Sequence, residues 1–446
     1  MMFNRGAQQQ GVDDKSRVPQ LHVGRWMRAM VEVVGAGGAR EQVDVYVDPS
    51  TETAYEKVRS LADTRMGKAY HYQTLELQAQ AAGDGGGGGG GIGGGGGVYV
   101  RTGRSVLVKS FLKQCVAGNC DTEGKPSGER PFRENQIAQF LSTGGAADAP
   151  APPPSGGDDS QDADDEGGAA GGFGARFFQG VGGSNLDGLA AAAAAAAAAF
   201  VLDDEGGEGE EGDSLPEPMA GVQEDGHDNV PEYFGFFEAE GAYVAVMEFV
   251  AGGELFNVIE AQGSGLLETT ARSLFSQMAR GVRYLHRSGV AHLDLSPENF
   301  VVTADLATCK VIDFGLARVV RSLAGGLMRG YCGKTFYAPP EMNVPGAYYD
   351  PHLCDVWSLG VSLFVVLFGG PPFRGGARTT DPVYKAMAQH EDGIAGIVAY
   401  WRATGVILPP VSDTALDLVR RMMCPDPARR ITMEGVMEHD WMTAAQ

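Results

Sequence analysis

An α+β fold, a small strand-rich part followed by a larger helical part, is what this chain predicts, and three observations carry the prediction. Before residue 250 the patterned segments alternate apolar and polar residues, as strands do. After it the apolar residues recur at i, i+3 and i+4, as on the inner face of a helix. A long acidic stretch rich in Gly and Ala, with neither pattern, interrupts the strand-rich part. The 446 residues can bury a sizeable core, and they carry a formal net charge of −22 and 66 glycines. That acidity argues against a nucleic-acid surface, which needs clustered Lys and Arg to displace counterions from phosphates.

In chain order, Met30 to Val34 and Val43 to Val47 alternate like strands around a GAGGAREQ turn, and His71 to Leu77 reads as another strand. Gly85 to Gly97 is a glycine run interrupted by Ile92 alone, with no side chains to pack. Val98 to Val100 and Ser105 to Phe111 flank a TGR turn as a hairpin would, and Glu134 to Leu141 has helical spacing. Residues 143–229 hold 19 Asp or Glu against one Arg, Arg176, a net of −18. Such a segment cannot bury enough apolar area to offset its ordering entropy and is expected to be disordered, its alanine run within Leu189 to Leu202 being at most a low-complexity helix. Val230 to Phe237 and Ala242 to Phe249 read as strands; Thr269 to Arg287, Asp355 to Phe368 and Asp413 to Met423 read as helices.

Six cysteines show no CxxC or Cys/His spacing of a zinc site, which fits a reducing compartment. The N-terminal residues lack the apolar segment of a secretory signal, and no run reaches the ~20 apolar residues of a membrane span. The expectation is a cytoplasmic or nuclear protein.

HLDLSPENF (His292 to Phe300), VIDFGLAR (Val311 to Arg318), APPEM (Ala338 to Met342) and DVWSLGV (Asp355 to Val361) occur in order and at characteristic spacing. In this the chain resembles the eukaryotic protein kinases, of the Ser/Thr type and nearest the calcium/calmodulin-dependent kinase-like group. SPEN is similar to the Ser/Thr form KPEN rather than to the tyrosine forms AARN and RAAN. The resemblance implies a two-lobed kinase fold: an N-terminal extension over 1–69, small-lobe parts over 70–142 and 230–250 separated by the 143–229 insertion, and a large lobe over 251–443.

It also implies the chemistry. Moving the terminal phosphoryl of ATP needs divalent metal, a carboxylate aimed at the attacking hydroxyl and a cation holding the phosphates in line. By resemblance Asp294 is the catalytic aspartate, while Asn299 and Asp313 offer the oxygens Mg²⁺ prefers. Lys109 in VLVK is the phosphate-gripping lysine and Glu134 its partner, with Ile137, Ala138 and Leu141 facing inward. Gly91, Gly93 and Gly96 with Val98 satisfy the nucleotide-loop pattern GxGxxGxV; Leu107, Met247, Glu248 and Val250 are implied to border the nucleotide. Glu341 is implied to pair with Arg430 in ARRIT.

Three departures stand out. Leu107 replaces a small alanine, and Leu293 replaces the arginine of HRD. Ser296 and Lys334 stand where the Ser/Thr members carry Lys and Thr, a reciprocal exchange that keeps one ammonium and one hydroxyl beside the phosphoryl. Glu254 in GGEL and Glu298 in SPEN resemble the arginine-reading glutamates of basophilic kinases, which implies protein substrates with Arg upstream of the acceptor. The acidic insertion suits a basic partner. The alternative from another class is a pseudokinase or scaffold, favoured by Leu107, the polyglycine run and the altered phosphate-side residues.

Overall fold

A computed structural model of the chain describes residues 23–35, 38–79, 97–125, 127, 130–143, 226–320, 326–390, 393–405 and 409–444. The strand-rich part comprises β1 (Val23–Arg25), β2 (Met27–Val34), β3 (Arg40–Asp48), β4 (Thr53–Thr64), β5 (Gly67–Ala79), β6 (Gly97–Leu112), β7 (Tyr233–Ala239) and β8 (Ala242–Glu248). They form one sheet in the order β1-β7-β8-β6-β2-β3-β4-β5, and β5 returns to pair with β6. Strands β2 to β6 therefore close on themselves, while the end of β6 leaves the ring to pair with β8. Closure removes edges that would otherwise present unpaired backbone groups.

Aromatic residues fill the space beside this sheet. Trp26 stacks on Tyr55 at 4.6 Å and on Tyr46 at 5.4 Å between ring centres, with Phe237 at 5.3 Å. The sheet thus begins well before residue 70, and β5 itself runs across that position, so residues 23–69 do not stand apart from the strands that follow.

The TGR hairpin does not form. β6 is one continuous strand whose two halves pair antiparallel with the same partner: Gly97–Arg101 faces Ala79–Leu75, and Ser105–Lys109 faces Gln73–Ala69. Gly103, at φ +78°, absorbs the change of direction that the register shift requires, a conformation open to glycine.

Two helices follow β6: α1 (Lys113–Gly118) and α2 (Pro131–Ser142), the latter started by proline in its first turn and burying Ile137, Ala138 and Leu141. The helical part holds α3 (Leu255–Gln262), α4 (Glu268–Arg287), the short strands β9 (Val290–Ala291), β10 (Phe300–Val302), β11 (Cys309–Val311) and β12 (Arg318–Val319), and then α5 (Pro351–Phe368), α6 (Pro382–Gln389), α7 (Gly393–Ala403), α8 (Asp413–Met422), α9 (Met433–Glu438) and α10 (Asp440–Thr443). Helix α4 buries Ala271, Leu274, Phe275, Met278, Val282 and Leu285, the expected i, i+3, i+4 face. Helix α5 is buried along almost its whole length; its N-terminus is capped by the Asp350 carboxylate and it ends at Gly369. Among the described residues it alone is long and apolar enough to cross a membrane, yet 89% of that stretch is buried inside the fold.

Most of the 143–229 insertion, and its alanine run, lies outside the described residues. Its last residues are packed: the His227 ring stacks on Tyr284, and the buried Asn229 amide donates to the Cys309 carbonyl at 2.9 Å and the Gln277 side chain at 3.3 Å. The two ends meet, since a Cβ on Gly226 would lie 2.6 Å from the Ser142 carbonyl oxygen. Replacing residues 144–225 by a short Gly-Ser connector should therefore preserve cooperative unfolding, with a midpoint within a few degrees of the full chain. Extending the deletion through Asn229 should lower stability by about 2 kcal/mol, because Cys309 and Gln277 lose a buried donor. Thermal unfolding of the two variants checks both expectations, and aggregation of the shorter deletion would contradict them.

Candidate active site

Lys109 lies in the middle of β6, where both cross-strand neighbours are alanines, Ala69 and Ala245, and its stem has room to extend. Its ammonium donates to the Glu134 carboxylate at 2.7 Å and to Asp313 at 3.2 Å. The Lys109 and Glu134 side chains are 11% and 6% exposed, so this is a desolvated ion pair. Such a pair fixes geometry more surely than it adds stability, because burial of both charges offsets much of their attraction. Burial also opposes the charge on Asp313, but the charge and hydrogen bond of Lys109, with His292 and the Gly315 N–H, bring its carboxyl down to about 2. It is an ionised acceptor.

The loop after β9 carries the second group. Asp355, wholly buried on α5, accepts the backbone N–H of His292 and of Leu293 at 2.7 Å each, and His286 Nε2 lies 2.9 Å from it. Burial opposes its charge, yet His286 and these hydrogen bonds hold its carboxyl below the ordinary value. Leu293 is thereby held at φ +63°, a conformation that non-glycine residues rarely adopt. Beyond this bend, Asp294 accepts the Lys334 N–H at 3.1 Å on one oxygen and the Asn299 amide at 3.1 Å on the other. Asn299 also donates to the Asp294 carbonyl at 2.7 Å, and its own carbonyl accepts the Ile312 N–H at 3.0 Å, which brings Asp313 alongside. Burial pushes the Asp294 carboxyl up, while the nearby Lys334 ammonium and His292 hold it back.

Ser296 and Lys334 are in contact: the ammonium donates to the hydroxyl at 2.5 Å and stands 3.7 Å from the Glu298 carboxylate. Glu254 is close enough to Glu298 that, after burial, this neighbour is the next cause raising its carboxyl, with Lys334 opposing. Glu341 and Arg430 form a two-bond ion pair at 2.7 and 2.9 Å, the arginine also holding the Leu353 and Cys424 carbonyls. Leu293 lies in an apolar cluster with Ala291, Ala338, Met342, Tyr349 and Cys354.

Of the residues implied to border the nucleotide, Leu107 and Met247 face each other across β6 and β8, and buried Val250 follows β8. The Glu248 side chain turns away to Lys310 at 2.9 Å, leaving only its backbone for a ligand. Gly91, Gly93 and Gly96 lie outside the described residues. Val98 is misplaced for the role: it pairs with Gln78 while Lys109 pairs with Ala69, nine residues or roughly 30 Å along β5. The continuous β6 is the physical reason, since a hairpin would have folded it back. The segment that does reach the Lys109 end of β6 is the turn between β4 and β5. There the Leu112 N–H bonds the Met66 carbonyl at 2.8 Å, and Gly67 lies so near Ser110 that a Cβ would meet its carbonyl oxygen at 2.2 Å. Sequence reasoning missed this hairpin, although the TRMG turn between alternating residues was a readable signal. Asp355 lay in a quoted motif, but its bonds to backbone N–H groups across the fold left no local trace.

Among the described residues no three His, Cys, Asp or Glu side chains come together as a metal group. Asp313 and Asn299 offer a sparser pair of oxygens, of the kind that suits Mg²⁺ when phosphates complete its shell.

Comparison with known proteins places this geometry. The model of the protein kinase domain matches residues 190–442, more than half of the chain. Calcium-dependent protein kinase 29 of Arabidopsis thaliana is 35% identical over 220 residues, which are 49% of this chain and 38% of that protein. Calcium-dependent protein kinase 9 of the same plant is 37% identical over 219 residues, 49% and 37% of the two chains. CBL-interacting protein kinase 17 of Oryza sativa subsp. japonica is 38% identical over 197 residues, 44% and 39%. The chain thus spans about two fifths of the length of these curated relatives. The matched domain contains Asp294, Asn299, Asp313, Glu341 and Arg430 in the contacts described above, and the chain belongs to the protein kinase family.

Proposed function

We propose that the protein transfers the terminal phosphoryl group of ATP to serine and threonine hydroxyls of protein substrates. The unbroken contact from Glu134 through Lys109 to Asp313, beside an Asp294 oriented by two N–H donors, carries this reading. Bound Mg²⁺-ATP would supply the phosphoryl donor and neutralise its oxyanion charge, with Asn299 and Asp313 as the protein oxygens on the metal. Lys109, steadied by Glu134, grips phosphate oxygens. Asp294 accepts the proton of the substrate hydroxyl and aims its oxygen. Lys334 presents an ammonium at the acceptor side, where Ser296 and Glu298 hold it.

The turn between β4 and β5 is the covering loop in this reading, in place of the polyglycine run, because it lies at the Lys109 end of β6. Glu254 and Glu298, two neighbouring carboxylates beside Lys334, favour basic side chains upstream of the acceptor.

Asp294→Asn should retain Mg²⁺-dependent nucleotide binding in a thermal-shift titration and lose peptide phosphorylation, whereas Asp313→Asn should lose the Mg²⁺-dependent binding as well. Wild-type protein that binds Mg²⁺-ATP without phosphorylating any Ser/Thr peptide would select the scaffold reading instead.

Gly67→Val should lift the covering turn off Ser110, raising KM for ATP by about tenfold with a smaller change in kcat. An unchanged KM in a folded variant would remove the turn from the nucleotide site.

Lys334→Thr should lower kcat by ~10²-fold, roughly 2.7 kcal/mol of barrier. It also deprives Asp294 of a cation that favours its ionised form. The Asp294 carboxyl then rises further, and since the ionised form is the base, the acidic limb of the kcat/KM–pH profile moves to higher pH. Ser296→Lys in the same protein should recover much of the loss by returning an ammonium to that space. A double-mutant cycle on kcat tests this; strictly additive effects would mean that the two positions act independently.

A further inference from the structure

Helix α1 lies between the strand that carries Lys109 and the helix that carries Glu134, and its end has a specific form. Asn119 adopts the left-handed conformation at φ +46°, its N–H bonds the Val116 carbonyl at 3.3 Å, and the Cys120 N–H bonds the Cys115 carbonyl at 3.0 Å. This double bond pattern is a Schellman motif, whose geometry turns the side chain two residues past the helix back against the one near its end. Here both side chains are cysteines.

The distance follows from covalent geometry. A 3.0 Å bond between the Cys120 nitrogen and the Cys115 oxygen leaves their Cα atoms at most ~7 Å apart, given standard backbone lengths. A disulfide spans ~4.4–6.8 Å between Cα atoms. The Cys120 sulfur lies back over the last turn, since a Cβ on Gly118 would be 3.1 Å from it. Burial pushes the Cys115 thiol up, and the adjacent Cys120 adds to this. Neither is in a disulfide; Cys115 is buried, its thiol donating to the Asp121 carbonyl at 3.6 Å, and Cys120 is partly exposed.

We propose that Cys115 and Cys120 form a dithiol site oxidised by hydroperoxides to an intramolecular disulfide. The partly exposed Cys120, as its thiolate, attacks the peroxide oxygen, the O–O bond breaks, and Cys120 becomes a sulfenic acid as one molecule of water leaves. Cys115 then attacks that sulfur, the S–S bond forms, and the sulfenic hydroxyl departs with the thiol proton as a second water. Two thiols and one hydrogen peroxide thus yield one disulfide and two waters. The backbone is already closed by the Cys120–Cys115 hydrogen bond, so the disulfide forms without unwinding α1. The same turn is tied to the β4–β5 turn through the Thr122 N–H and the Arg65 carbonyl at 2.9 Å. The site therefore lies against the β4–β5 turn that the proposed function places over the nucleotide, and its chemistry is independent of the phosphotransfer reading.

The test treats the full chain with hydrogen peroxide, unfolds it in an alkylating reagent and measures the fragment containing both residues by mass spectrometry. The fragment should be lighter by two hydrogens and at least tenfold less alkylated than the reduced control, while Cys332 and Cys424 keep their label. Cys120→Ser should abolish the two-hydrogen loss, and Cys115→Ala should leave Cys120 as a sulfenic acid that a carbon nucleophile traps. Should Cys115→Ala fail to fold, wild type and Cys120→Ser decide alone, because Cys120 is partly exposed. Wild-type protein that accumulates sulfenic or sulfonic acid on Cys120 with Cys115 still reduced would overturn the proposal. So would a fragment that stays fully alkylated, or disulfides joining either residue to another cysteine.

Discussion

The carboxylate of Asp355 is the constraint on which the reacting groups depend. It is buried on a helix that is itself enclosed by the core, so its position is set by the packing of the whole helical part. From there it holds two successive backbone N–H groups at 2.7 Å and forces Leu293 into a left-handed turn. Charge-assisted hydrogen bonds of that length are roughly twice as strong as neutral ones and can offset a few kcal/mol of backbone strain. The bend aims Asp294 away from the core, and the next bonds pass through Asn299 to Ile312, through His292 Nε2 to the Ile312 carbonyl at 2.9 Å, and so to Asp313. Asp313 reaches Lys109, and Lys109 reaches Glu134. A single buried charge on α5 thus orients groups drawn from four separate stretches of chain.

Leu293 shows how one substitution changes the means of holding a segment without removing the hold. An arginine at that place would need an anion opposite it, and its grip would vary with salt and charge state. Leucine buries its side chain among Ala291, Ala338, Met342, Tyr349 and Cys354, with Met328, Tyr331 and Cys332 packed at the margin. Burial of that kind contributes about 1.5–3 kcal/mol whatever the state of nearby ionisable groups. Met328 and Tyr349 add two reciprocal backbone bonds at 2.8 Å. Residues 326–350 ahead of α5 are thereby fastened by apolar area and backbone pairing.

What the sequence made legible was chemistry carried by short runs of residues: the Asp294, Asn299, Asp313, Glu341 and Arg430 positions, and the helices whose apolar faces repeat every three or four residues. What it hid was register. Two halves of β6 look like two strands because a Gly-containing turn separates them, yet β5 is long enough to pair with both, and Gly103 takes up the kink. Once β6 is continuous, the end that meets the glycine run is carried far from Lys109, and a hairpin with a single glycine near its tip takes the place beside the cleft. His227 and Asn229 were hidden for a similar reason. They close an acidic segment by composition, but their partners Tyr284, Gln277 and Cys309 lie dozens of residues away and leave no periodic trace.

The charges around the cleft complete the argument. Glu134, Asp313, Asp294, Glu254 and Glu298 stand against two ammonium groups, and each lysine is placed between acids: Lys109 between Glu134 and Asp313, Lys334 beside Asp294 and Glu298. Neither lysine neutralises its surroundings, so the site keeps a net negative potential that a low-dielectric cleft enlarges. On the proposed function, such a site favours added cations, metal beside Asp313 and basic side chains beside Glu254 and Glu298, and a phosphate donor enters it best with its charge already compensated. The exchange of Ser296 and Lys334 preserves this balance because it moves the ammonium to the other side of a 2.5 Å contact without adding or removing charge. What changes is the element that carries the charge. The ammonium rides on the segment that also gives its backbone N–H to Asp294, so any movement of that segment displaces the cation and reorients the Asp294 carboxylate together.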